Sequence, residues 1–112
     1  MPFRLGCDIV SVPRFRERLA EGGEGFLERV FQPHEQAGAS LERLAGLFAA
    51  KEAACKALSL PPGSWLQIGV TEETTGIPRV QLLEPQPELQ TLYVSISEEG
   101  DYAMAVAIAT FA

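Results

Sequence analysis

A chain of 112 residues, 46% of them hydrophobic, has room for one compact domain that buries roughly two-thirds of its unfolded surface, and residues 1–112 read as that single domain. A formal charge of −6 excludes a general nucleic-acid binder, which needs a basic surface to neutralise phosphates, so any basic site must be local. Cys7 and Cys55 lack the spacing of a disulfide framework, zinc site or redox motif, there is no signal-peptide pattern, and no stretch approaches the ~18 apolar residues of a membrane helix; a cytoplasmic location with no membrane partner is expected.

In chain order, Phe3 to Val10 is apolar and β-branched enough for a first strand, and Ser11 followed by Pro13 marks a helix start. Pro13 to Glu21 places Phe15 and Leu19 on one face and Arg14, Arg16, Glu17 and Arg18 on others, and Gly22-Gly23 is predicted to end it. An apolar cluster at Phe26, Leu27, Val30 and Phe31 follows, then a break at Pro33 and Gly38-Ala39-Ser40. Leu41 to Leu58 is the longest helix, with a stripe of Leu41, Leu44, Ala45, Phe48, Ala49, Ala53, Ala57 and Leu58 whose alanines admit another element at close range. Pro61-Pro62-Gly63 closes the helical part.

Beyond it the pattern is strand-like. Trp65 to Thr71 and Pro78 to Leu83 flank a connection in which Gly76 supplies an unusual backbone angle, and Leu92 to Ser97 pairs with Tyr102 to Phe111. The alternation of Val94 and Ile96, and of Met104, Val106 and Ile108, fits antiparallel strands. The expected class is therefore α+β: an amino-terminal strand and helices, with a long central helix packed against a mostly antiparallel sheet.

Few residues suggest chemistry by themselves. Asp8 interrupts an apolar strand, so its carboxylate needs a partner or faces outward to cap the following helix. Glu52 and Lys56 share a helix face bordered by alanines, which either makes an ordinary surface ion pair or leaves room for a metal and a phosphate; Lys51 lies about 100° around the same helix. His34 reads as a surface or capping histidine, Ser95 and Ser97 as strand hydrogen-bonders, and Trp65, Tyr102 and Phe111 as packing residues.

The order of motifs is more specific than any one of them. Gly6-Cys-Asp-Ile-Val10 with Arg14, then Leu44-Ala-Gly-Leu-Phe-Ala-Ala-Lys-Glu-Ala-Ala-Cys-Lys-Ala-Leu58, Gly76-Ile-Pro78, Val94-Ser-Ile-Ser97 and Tyr102-Ala, resembles the holo-acyl-carrier-protein synthase group of phosphopantetheinyl transferases over nearly the whole chain. The resemblance implies Mg²⁺ on Asp8 and Glu52, and coenzyme A as co-substrate held by Lys51, Lys56, Gly76, Pro78 and Ser97. It implies catalytic roles for Glu52 and Lys56, with Glu52 or a water on the metal removing the proton of the accepting serine. The reaction implied is transfer of 4′-phosphopantetheine from coenzyme A to a serine of apo-acyl-carrier protein, releasing adenosine 3′,5′-bisphosphate, in fatty-acid biosynthesis. Arg14, Arg16 and Arg18 would meet the acidic carrier, and a homotrimer with sites between subunits is implied.

The sequence departs from the family pattern at three places: Leu47 stands where arginine is usual, Ile77 where lysine is usual, and Glu98 where histidine is common. Two lost cations near coenzyme A phosphates leave open an alternative, a relative that binds carrier protein without efficient transfer and serves as adaptor or regulator. An unrelated small-molecule-binding α+β domain is the third reading.

Overall fold

The computed structural model describes residues 2–112. Strand β1 (Phe3–Ser11) leads through a Ser11 cap, whose hydroxyl accepts from the Arg14 amide, into helix α1 (Val12–Val30). A short α2 (Pro33–Gln36) precedes the long α3 (Leu41–Leu58), capped by Ser40. A 3₁₀ turn (Trp65–Gln67) enters β2 (Ile68–Glu72), followed by β3 (Pro78–Leu82), β4 (Leu89–Glu99) and β5 (Tyr102–Phe111). The strands form two antiparallel sheets, ordered β1-β5-β4 and β2-β3, and the α+β class expected from sequence is the one observed.

Several boundaries differ from the sequence reading, two of them through partners distant in the chain. The first helix kinks at Gly23 (φ 57°, ψ −148°) but resumes to Val30. There Phe26 is buried against Phe15 and Phe48, with ring centroids 6.2 Å apart in both pairs, and this apolar contact outweighs the local cost of two glycines. The segment from Trp65 begins as a 3₁₀ turn rather than a strand, and its Trp65 carbonyl accepts from both the Ile68 amide and the Lys51 ammonium.

The alternation on β5 has the opposite sense to that of β4. Val94 and Ile96 face α3, whereas on β5 it is Ala103, Ala105, Ala107 and Ala109 that are buried against the helix and Met104, Val106 and Ile108 that point away. Alanine meets alanine here, since Ala45, Ala49, Ala50, Ala53, Ala54 and Ala57 of α3 are all fully buried. Small side chains on both surfaces bring the helix axis close to the sheet. The closest approach is at Gly6 of β1, where an added Cβ would lie 1.9 Å from the Ala53 carbonyl oxygen, so only glycine fits. No helix among the described residues is long and apolar enough to cross a membrane.

Candidate active site between the first strand and the long helix

The Gly6 contact determines what the next helix-facing residue of β1 meets. Side chains alternate along a strand, so Asp8 turns to the same side as Gly6, toward α3 rather than outward to solvent. Lys56 lies one residue before Ala57 in the contacted stretch, and its Nζ donates to Asp8 Oδ1 at 3.2 Å and to the Cys7 carbonyl at 2.9 Å. One helical turn earlier, Glu52 accepts at Oε1 from the Trp65 indole N–H at 3.1 Å. Asp8 and Glu52 line one cleft of about 230 Å³, together with Ser11, Arg14, Arg18 and Phe48.

The arginines of α1 divide by helical phase. Arg14 and Arg18, four residues apart, both border the cleft; Arg16 is exposed and does not line it. Arg18 is held above an aromatic floor, with its guanidinium carbon 4.8 Å from the Phe26 ring centroid, 5.5 Å from Phe48 and 5.6 Å from Trp65. Cation–π attraction of this kind fixes the orientation of a charge that would otherwise sample many rotamers.

Lys51 corrects the sequence reading. Expected at the coenzyme, it is instead completely buried, with its three ammonium protons directed at Glu35 Oε1 (2.8 Å) and at the carbonyls of Trp65 (3.2 Å) and Ile68. Burial lowers its pKa from the ordinary lysine value, and the hydrogen bond and charge of Glu35 oppose that shift. Glu35 is equally satisfied, since Oε1 accepts from the Gln32 amide at 2.7 Å and Oε2 from the Val70 amide at 2.8 Å. No donor of Lys51 is left over for a ligand.

The remaining expected coenzyme contacts do not reach this cleft within one chain. Gly76 (φ 84°) and Pro78 belong to the β2-β3 hairpin, where Pro78 borders a separate groove with Ile77 and Tyr93. Ser97 is exposed on the outer face of its sheet, opposite the face that carries Asp8. Of the departures, Leu47 is buried and borders another hollow with His34, Arg43 and Thr71, Ile77 is exposed, and Glu98 lies over Gly46 of α3. Arg79 is bound to Glu73, which raises its pKa.

Sequence reading missed two participants. Sequence alone assigns Trp65 to packing, yet its N–H holds a carboxylate. Glu35, in a segment read as a break, carried no local signal of burial; only the lysine facing it from α3 explains it. The cleft's own donors are oxygen ligands, two carboxylates, with cationic side chains around them. That set suits a hard divalent cation completed by phosphate oxygens, while among the described residues no group of three or more histidine, cysteine, aspartate and glutamate side chains gathers to hold a metal unaided.

Comparison with known proteins points the same way. The family model of the 4′-phosphopantetheinyl transferase superfamily matches residues 4–107. The chain is 38% identical to a holo-[acyl-carrier-protein] synthase of Geobacter sulfurreducens, over 96% of this chain and 97% of that one. It is 40% identical to one of Kocuria rhizophila, over 93% and 89%. Among solved structures it is similar to the Helicobacter pylori holo-[acyl-carrier-protein] synthase in complex with coenzyme A, with a TM-score of 0.86 and 32% identity over 95% of this chain and 99% of that chain.

Proposed function

Because the chain belongs to the 4′-phosphopantetheinyl transferase superfamily, we propose that it is a holo-acyl-carrier-protein synthase transferring 4′-phosphopantetheine from coenzyme A to a serine of apo-acyl-carrier protein. The observation that carries this reading is the meeting of Asp8, Glu52, Arg14 and Arg18 in one cleft, with Lys56 bound to Asp8. The serine oxygen forms a bond to the β-phosphorus as the phosphorus–oxygen bond to adenosine 3′,5′-bisphosphate breaks, and the serine proton passes to Glu52 or to a water in the cleft. Asp8 and Glu52 would hold Mg²⁺, which when bound supplies positive charge to the pyrophosphate oxygens.

The chain's own residues account for the rest. Lys56, half-exposed and with two of its ammonium protons on the Cys7 carbonyl and Asp8, has a third to turn toward a phosphate oxygen as charge develops there. Arg14 and Arg18 flank the cleft and Arg16 extends the basic surface of α1, a local patch on an acidic chain that suits an acidic carrier and would raise its association rate.

A homotrimer is part of the proposal. Register places Leu5, Ile108 and Tyr93 in one row of the outer sheet face and Ile9, Met104 and Ser97 in another. Leu5, Ile9 and Tyr93 are each more than half exposed, a contiguous apolar surface of the kind that subunit contacts cover. In such a trimer the Gly76–Pro78 hairpin of a neighbouring subunit would supply the contacts that the cleft lacks in the single chain. Carrier modification in fatty-acid biosynthesis in the cytoplasm is the corresponding role.

The test is to incubate the protein with apo-carrier, coenzyme A and Mg²⁺ and weigh the carrier by mass spectrometry. A phosphopantetheine-sized gain that disappears in Asp8→Ala and Glu52→Ala is expected. Carrier binding without mass gain would favour the adaptor reading instead.

A further inference from the structure

Lys51 and Glu52 are neighbours on α3 about 100° apart, and both hold the same residue. Lys51 takes the Trp65 carbonyl from the buried side, and Glu52 accepts the Trp65 indole N–H from the side of the cleft. The turn that carries Trp65 is thus fixed to the helix at two points. The Lys51 end cannot shift cheaply, because its ammonium is also held by Glu35 and the Ile68 carbonyl without access to water. The ring is confined as well, with Phe26 at 6.3 Å and Phe48 at 5.7 Å between centroids and the Arg18 guanidinium above it.

A rigid donor on one carboxylate oxygen does more than fill space. A glutamate side chain has three rotatable bonds, and on an exposed helix face its carboxylate would sample many orientations. With Oε1 occupied by the indole N–H, the second oxygen is oriented by the same contact. Outer partners of this kind commonly govern how well a carboxylate ligates.

We propose that Trp65 is a positioning residue that orients the Glu52 carboxylate toward a divalent cation, with the Lys51–Glu35 pair as the anchor of Trp65. The inference rests on the carboxylate-cleft reading above and concerns the one tryptophan of the chain. Its indole N–H therefore gives a single side-chain resonance by NMR.

The experiment has two readouts. In the first, the indole N–H resonance is compared between the natural chain and Glu52→Ala; a shift upfield on loss of the acceptor is expected, and an unmoved resonance overturns the proposal. In the second, Mn²⁺ affinity in the presence of coenzyme A is measured by electron paramagnetic resonance for the natural chain, for Trp65→Phe, and for a chain with benzothienylalanine at position 65. That isostere keeps the fused ring and lacks the N–H. Both substitutions are expected to weaken Mn²⁺ binding about 10-fold or more. An isostere that binds Mn²⁺ as the natural chain does, while Trp65→Phe does not, reduces Trp65 to ring packing and overturns the inference alone. A natural chain that takes up no Mn²⁺ overturns the metal reading and this inference with it.

Discussion

Helix α3 carries two lysines that each meet a carboxylate from a distant part of the chain, and they have opposite characters. The Lys51–Glu35 pair has no exposed side-chain surface on either partner, and every proton of the lysine is committed. The Lys56–Asp8 pair is open, with the lysine side chain 55% exposed and a cleft beside it. The first joins α2, α3 and the turn before β2 into one body. The second is held only loosely, so its charges remain available to a ligand. Rigidity and chemistry are thus divided between side chains five positions apart on one helix, and the buried pair supports the turn that bears on Glu52.

Removing one partner of the buried pair should have the largest effect on stability. Lys51→Met leaves the Glu35 carboxylate without its cation in the interior and is expected to cost about 3–5 kcal/mol, read as a lower urea midpoint at unchanged slope. Joint replacement by apolar residues should not restore the loss, because the Trp65 and Ile68 carbonyls and the Gln32 and Val70 amides would lose their partners. A double variant as stable as the natural chain would contradict the bracing role.

Gly6→Ala probes the contact that brings the open pair together. Its Cβ collides with the Ala53 carbonyl, and pushing strand from helix should cost about 1–3 kcal/mol or more while separating Asp8 from Lys56, so transfer activity falls along with the melting temperature. A smaller, pH-dependent term comes from Cys55, next to Lys56. Burial first, and then the Glu52 charge, push its thiol from 9.0 up to about 11. The folded state therefore keeps the proton longer than the unfolded state, and the contribution is fully present below pH 9 and lost as pH rises toward 11. Lys51, whose pKa is lowered, works in the opposite direction in alkali but is common to both chains when the natural protein is compared with Cys55→Ala. The variant should lose less stability between those pH values, measured by denaturant unfolding.

Least affected in stability is Lys56→Ala. An exposed pair contributes at most about 1 kcal/mol, so the fold should barely change. Transfer to the carrier should nonetheless drop on the order of 10²–10³-fold, the usual cost of removing one charge-stabilising donor. Equal activity in Lys56→Ala and the natural chain would remove this lysine from the chemistry.

Much of the fold was legible because it depends on neighbours in sequence. The ends of α3 at Leu41 and Leu58 follow from the Ser40 cap and the helical stripe, and β5 from its alternation between Asp101 and the chain's end. What was misread depends on distant partners. Gly22-Gly23 is a stop signal by propensity, yet Phe26 finds Phe15 and Phe48. Trp65 starts a strand by composition, yet its carbonyl also accepts from Lys51. Among the site residues, Asp8 and Glu52 were named from motif order, and the structure brings them to one cleft with Arg14 and Arg18. Gly76, Pro78 and Ser97 lie elsewhere in the single chain.

The sequence alone determined the α+β class, the long central helix and the set of charged residues from which a site could be built, because periodicity, caps and turn residues act over a few positions. Only the tertiary structure decided which lysine is a brace and which faces the cleft. That distinction rests on Glu35 and Asp8, which approach α3 from other elements, and on Gly6, whose missing side chain lets strand and helix touch. Burial and pairing are properties of what lies opposite a residue, and no local pattern around Lys51 or Lys56 encodes that.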